Sequence, residues 1–320
     1  MINLKQINSD ELNLLKLDFF IASSGFESRA IAQTEKYSQN SNIKIVLGFS
    51  NELDDETRIY NDSIFEKNNF SEQIIMQGEE KSIEELNKII NTIDNYSNNQ
   101  ECTRVYIDYS CMTRNWYSYL LFGLDNIDNK DKVKIYFGYS HAEHVPNNGD
   151  STFNRVVCPL LGYCDLNVPS KPTALIIGMG NEPNRIYGLK EYFDAASYLF
   201  YSDESYNEKY SEEIENINKD IIDSTKPENI FTFPIHDLIY TNYILESLCN
   251  ALMKEYRVVI APCGPKPFAL LAMINSLKYD YSLEVWRISP GDRAPKVDRK
   301  PTGLISVVEL SFSALTGGSM

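Results

Sequence analysis

The chain has 320 residues, 43% of them hydrophobic, with 21 tyrosines and 15 phenylalanines, which is ample for sizeable cores and longer than one core usually organises. Its formal net charge of −15 argues against nonspecific binding along a nucleic-acid backbone, because such binding depends on lysines and arginines that displace counterions. No stretch approaches the roughly 20 uninterrupted apolar residues of a membrane helix, Met1 to Leu14 lacks a basic-then-apolar leader pattern, and the six cysteines (Cys102, Cys111, Cys158, Cys164, Cys249, Cys263) form no C-x-x-C pair, so a cytoplasmic protein with reduced thiols is expected.

Strand-like apolar runs come in two series. The first comprises Leu17–Ala22, Ile43–Phe49, Phe70–Met76, Val105–Tyr109 and Val133–Tyr139. Its first loop, Ser23-Ser24-Gly25-Phe26-Glu27-Ser28-Arg29, puts small residues and an arginine at a strand-to-helix turn, where backbone N–H groups and a guanidinium can face an anion. The other reading is an ordinary tight turn with Arg29 in a surface ion pair. A helix is expected at Ser82–Tyr96, with Ser82 and Glu85 as a capping box and Ile83, Leu86, Ile90 and Ile93 on one face. The next polar loop, Asp108-Tyr109-Ser110-Cys111-Met112-Thr113-Arg114, concentrates a carboxylate, two hydroxyls and an arginine before the helix Trp116–Leu124. Its plainer reading makes Ser110 or Thr113 a helix cap and pairs Asp108 with Arg114. Cys111 reads as structural, with no histidine base nearby. His141 and His144 flank a glutamate but lack a further ligand set, so no metal is expected.

The second series comprises Ala174–Gly178, Tyr198–Ser202, Ile230–Phe233, Val258–Ala261 and Leu283–Ile288. Its opening turn, from Gly178 and Gly180 to Arg185, resembles a dinucleotide fingerprint but has Pro183 at the third glycine position. Asp203 stands where a ribose-binding acid could be, which keeps NAD as an alternative ligand. A helix is expected over Asp237–Tyr256, with Asp237 as N-cap and Leu248 and Leu252 in its apolar stripe. In Pro262-Cys263-Gly264-Pro265-Lys266-Pro267-Phe268, Gly264 permits close backbone approach and the prolines hold Lys266 at an emerging helix N-terminus. The tail Arg287–Lys300, with Arg287, Arg293, Lys296, Arg299 and Lys300, reads as a flap or a solvated loop, and Gly317 to Met320 as a frayed end.

The two series keep a nearly constant spacing. Ile21 falls on Ile177 and Arg29 on Arg185 at the same offset (177 − 21 and 185 − 29 are both 156), and Val105 falls on Val258. The fold expected is α/β, two tandem Rossmann-like parallel-sheet halves related by internal duplication, with helices on both faces. The prolines of Asn167–Pro172 place the boundary so that residues 1–166 form one half and 167–320 the other. The first- and fourth-strand loops of both halves are expected to converge on one ligand site, lined by Arg29, Arg114, Arg185 and Lys266.

The strand Val258–Ala261 with the Pro262–Phe268 turn resembles the glycine-threonine-lysine loop of CARF domains, with Pro265 in the threonine position. The duplication across residues 17–310 resembles SAVED domains, which are similar to two fused CARF units. The resemblance implies a nucleotide sensor of prokaryotic antiviral defence, with Ser23, Ser24, Arg29 and Arg185 in the first-strand loops that such proteins use for ligand contact; together with the polar loops read above, the candidate ligand-binding residues are Ser23, Ser24, Gly25, Glu27, Arg29, Asp108, Ser110, Thr113, Arg114, Gly178, Gly180, Arg185, Gly264 and Lys266. It implies a small cyclic or linear oligonucleotide or a mononucleotide derivative as ligand, no cofactor, and a separately encoded effector, since no nuclease, TIR, protease or membrane effector is attached. The alternatives are a nucleotide- or NAD-cleaving enzyme using Asp108, Glu27 and Ser110, and a scaffold subunit of a defence complex.

Overall fold

The computed structural model describes residues 2–51, 53–70, 72–146, 154–165, 169–182, 185–203, 208–289 and 296–313. It divides into two compact units, Met1–Glu143 with Val297–Met320, and His144–Lys296.

The first unit is built on five parallel strands, β2 (Leu17–Ser24), β3 (Ser41–Phe49), β4 (Glu72–Met76), β5 (Thr103–Asp108) and β6 (Val133–Ala142). Two more, β1 (Ile2–Ile7) and β13 (Pro301–Phe312), complete the sheet in the order β1-β13-β6-β5-β2-β3-β4. The central strands are near-continuous apolar runs because helices cover both faces of a parallel sheet. Phe19, Phe20, Ile21, Val105, Ile107 and Phe137 are fully buried. The helices are α1 (Ser9–Asn13), α2 (Ala32–Tyr37), α3 (Glu56–Lys67), α4 (Gly78–Ser97) and α5 (Arg114–Asp125).

The second unit repeats the plan, in the order β10-β9-β8-β11-β12-β7. Its parallel strands are β8 (Thr173–Gly178), β9 (Ala196–Ser202), β10 (Ile230–Phe233), β11 (Arg257–Pro262) and β12 (Glu284–Ser289). The helices are α6 (Arg185–Phe193), α7 (Glu208–Ile217), α8 (Lys219–Ser224), α9 (Leu238–Leu252) and α10 (Lys266–Lys278). Counting parallel strands along the chain, both sheets run third, second, first, fourth, fifth, and then a strand antiparallel to the fifth. Each is therefore a Rossmann-like sheet, and the ten apolar runs of the sequence are its ten parallel strands.

Three strands were not legible as such: β1, β13 and the four-residue β7 (Val156–Pro159). They also move the boundary. β7 pairs with β12, Ile288 opposite Val157, which draws residues 144–166 into the second unit. β13 pairs with β6 and β1, Val308 opposite Phe137 and Gln6, which returns the C-terminal segment to the first unit. The division thus falls at Glu143/His144 and at Lys296/Val297 rather than at 166/167; Asn167 and Val168 lie outside the described residues, as do Arg293 and Gly317 to Met320.

Local chemistry sets the helix ends. Asp237 caps α9 by accepting from the Tyr240 N–H at 2.9 Å, as expected. The capping box at Ser82 does not form, because α4 begins a turn earlier at Gly78; Ser82 Oγ donates to the Gly78 carbonyl and Glu85 pairs with Lys88. Among the described residues no helix is long and apolar enough to cross a membrane.

Deleting residues 297–320 should cost the first unit its integrity. Val307, Val308 and Leu310 are buried, each side chain contributing on the order of 1.5–3 kcal/mol, and β6 and β1 would be left as open edges. The expected outcome is loss of the far-ultraviolet circular dichroism of one unit together with aggregation on size-exclusion chromatography.

Candidate functional site

In each sheet the first and fourth parallel strands lie side by side although they are not consecutive, β2 with β5 and β8 with β11. This is where the strand order reverses and where loops leaving the carboxyl ends diverge to leave a crevice. The four polar loops of the sequence follow these four strands, two in each unit.

In the first unit the loops are knitted into a buried network. Ser23 and Ser24 end β2, and Ser24 Oγ donates to Asp62. Gly25 and Glu27 both accept from Asn61 Nδ2 through their carbonyls, at 2.8 and 3.0 Å. Arg29, 3% exposed on a 3-10 turn (Ser28–Ile31), donates from Nε to Glu27 Oε2 at 2.6 Å. Its Nη1 donates to Tyr139 OH at 3.0 Å and to the Ser140 carbonyl at 3.1 Å. Burial works against this charge, but Tyr139, Glu27 and Cys111 outweigh it and hold the guanidinium well above its ordinary value.

Asp108, at the end of β5, accepts at Oδ1 from Gln33 Nε2 (2.8 Å), the Ser110 N–H (3.0 Å) and Ser110 Oγ (2.6 Å). Ser110 Oγ accepts in turn from Gln33 and from the Ser140 N–H, both at 2.8 Å, and Gln33 Oε1 accepts from Tyr106. Cys111 Sγ lies 3.8 Å from Glu27 Oε2. Thr113 is the N-cap of α5, accepting from the Trp116 N–H, and Arg114 is that helix's half-buried first residue. The partners that organise these loops, Gln33, Asn61, Asp62 and Tyr139, were missed in the sequence. They sit inside helices or a strand, where polar residues carry no local signal.

The second unit is organised differently. The Gly264 N–H donates to the Gly178 carbonyl at 2.8 Å, so the two loops touch through backbone. A Cβ on Gly264 would lie 2.1 Å from the Met179 carbonyl oxygen, one on Gly180 2.9 Å from that of Cys263, and one on Gly178 2.4 Å from Phe268 Cδ1. These glycines serve the approach of the chain to itself, and at Gly264 the close backbone approach expected from the sequence is to the Gly178–Met179 backbone. Pro265 caps α10, Lys266 is its half-buried first residue, and Pro267 to Leu277 are buried throughout. Arg185 opens α6 and is 3% exposed. Its Nη1 pairs with Glu182 Oε2 at 2.7 Å and its carbonyl accepts from Asn154 Nδ2 at 2.9 Å. Nε and Nη2 are buried without a hydrogen-bond partner among the described residues, as is Asn154 Oδ1. Pro183 lies outside them.

His141 shares a 2.8 Å hydrogen bond with Ser306, whereas His144 belongs to the second unit, 3.7 Å from Glu213. Asp203 is exposed at the end of β9. The 296–300 segment is exposed but anchored: Asp298 accepts from Ser28 N and Oγ, both at 2.7 Å, and the Arg299 carbonyl accepts from the Arg29 N–H. All six cysteines are free thiols.

No family model and no curated protein matches the chain. Among solved structures it aligns with the cytoplasmic domain of a prokaryotic cation chloride cotransporter, over 87% of this chain and 98% of that one, at 9% identity and a TM-score of 0.24. A likeness at that level carries no argument about fold or activity.

Two outcomes follow from these contacts. Gly264→Ala forces backbone apart in a tightly packed place and should cost about 3 kcal/mol of stability, read as an earlier denaturant midpoint. Burial pushes the phenols of Tyr106, Tyr109 and Tyr117 up. The folded state therefore holds these protons more tightly than the unfolded chain, so this stabilisation is intact below about pH 10 and declines as pH rises beyond it. In an ultraviolet titration these phenols should ionise only as the circular dichroism signal collapses.

Proposed function

We propose that the protein is a nucleotide sensor, which holds a phosphate of a small cyclic or linear oligonucleotide or mononucleotide derivative at the strand-end loops of its second unit. In this reading it acts in antiviral defence and passes the signal to a separately encoded effector. The observation that carries the phosphate assignment is Arg185, a buried cation whose Nε and Nη2 lack an acceptor among the described residues, at the first residue of the helix that follows β8, the strand paired with β11. A buried donor without an acceptor costs about 1–3 kcal/mol, and an anion that accepts from Nε and Nη2 together removes that cost while forming a charge-assisted fork. The first residue of α10, Lys266, follows the loop that touches Gly178, so a second cation belongs to the same pair of loops. The defence role and the effector rest on the resemblance to CARF and SAVED domains.

Cleavage of the nucleotide has weaker support. Asp108 and Ser110 are tied to Gln33 and backbone, and Glu27 to Arg29, which leaves the proposed acid, base and positioning groups committed to the fold.

The purified protein, studied by native mass spectrometry and calorimetric titration against nucleoside phosphates and cyclic oligonucleotides, should bind one of them and return it unchanged. Lys266→Ala should weaken that binding by roughly 1.5–3 kcal/mol, about ten- to hundredfold, with a melting temperature close to that of the parent. Unchanged affinity in Lys266→Ala, or a large fall in melting temperature, would return the loop to a purely structural role.

A further inference from the structure

The two units place an arginine at the same point, in the loop after the first parallel strand, and complete it in opposite ways. Arg29 is answered from within the chain: a carboxylate on Nε, a phenol and a carbonyl on Nη1. Glu27 holds that place firmly, because its backbone carbonyl is itself fixed by Asn61 and its side chain is only 18% exposed. Arg185 is just as buried, yet Glu182 reaches only Nη1, from a side chain 35% exposed, and Nε and Nη2 stay without an acceptor among the described residues. The Glu27 carboxylate therefore stands at Arg29 Nε, the position for which Arg185 has no acceptor among the described residues.

We infer that the protein binds one anionic group per chain, at Arg185, and that Glu27 acts in the first unit as a built-in anion which closes the corresponding site at Arg29. This deepens the reading above and rests on it for the identity of the anion as a phosphate. The first unit then contributes a permanently filled copy of the site, and the asymmetry between copies follows from one carboxylate rather than from a different fold. Removing that carboxylate leaves Arg29 Nε without its closest acceptor in a buried position, which is the condition that Arg185 meets in the parent protein.

The test is the stoichiometry of inorganic phosphate on the full chain, by calorimetry and phosphorus NMR, in the parent, Arg185→Met, Arg29→Met and Glu27→Ala. One phosphate per chain is expected in the parent. Arg185→Met should lose at least tenfold in affinity, and Arg29→Met should retain the single site while melting earlier. Glu27→Ala should take up a second phosphate, and Glu27→Gln, which keeps the shape and removes the charge, serves if the alanine variant does not fold. Two phosphates on the parent, or loss of binding in Arg29→Met with Arg185→Met unaffected, would overturn the inference while leaving a phosphate-binding protein. A folded Glu27 variant that still takes only one phosphate would overturn the role of Glu27. No binding by the parent would overturn both the inference and the function on which it rests.

Discussion

In each unit the hydrogen-bonded contact between two parallel strands that are distant in sequence organises everything around the candidate loops. Ile21 lies opposite Ile107 where β2 meets β5, and Ile177 lies opposite Ala261 where β8 meets β11. Parallel pairing aligns the carboxyl ends of both strands, and the chain must leave them in opposite directions to reach neighbours on either side. Polar side chains collect there because the sheet has no further ladder to offer their backbone, while the rows beneath are sealed by apolar residues.

Given that crevice, the two units show two ways of settling a buried charge. A guanidinium removed from water must be met by acceptors, since an unanswered ion costs far more than a neutral polar group. The first unit supplies them from two elements: the loop after β2, through Glu27, and strand β6, through Tyr139 and the Ser140 carbonyl. The result is a rigid polar core in which Gln33 bridges Tyr106, Asp108 and Ser110. The second unit has backbone contact instead, loop against loop through glycine, and Nε and Nη2 of its arginine have no acceptor among the described residues. Satisfaction is incomplete in the first unit too, where Ser23 Oγ, Arg58 Nη2 and Asn61 Oδ1 are buried without a hydrogen-bond partner among the described residues.

The edge strands show how long-range pairing completes a domain that local pattern leaves unfinished. Without β13 the first unit would end at β6, and without β7 the second would end at β12. Both additions are antiparallel and come from segments outside the strand–helix alternation, β13 beyond the second unit and β7 ahead of that unit's first parallel strand. A solvent-exposed edge next to a fully apolar strand invites pairing with other chains, so covering it is part of what makes each sheet self-contained.

From its own pattern the sequence determined the α/β class, the ten parallel strands, the duplicated order and the four polar loops, because apolar runs of strand length separated by amphipathic helices admit few other arrangements. Asp237 as a cap was likewise legible, since its chemistry is local. Only the tertiary structure decided where the units divide, because that depended on β7 and β13 finding partners more than a hundred residues away. It also decided what the loop residues do. What Gly264 and Gly178 approach was decided when the Met179 carbonyl and Phe268 were placed against them, and Arg29 and Arg185 read alike until one was found surrounded by acceptors. Spacing along a chain can deliver an arginine to a strand end, but whether its donors are answered there depends on residues such as Tyr139 and Ser140, which reach it through folding alone.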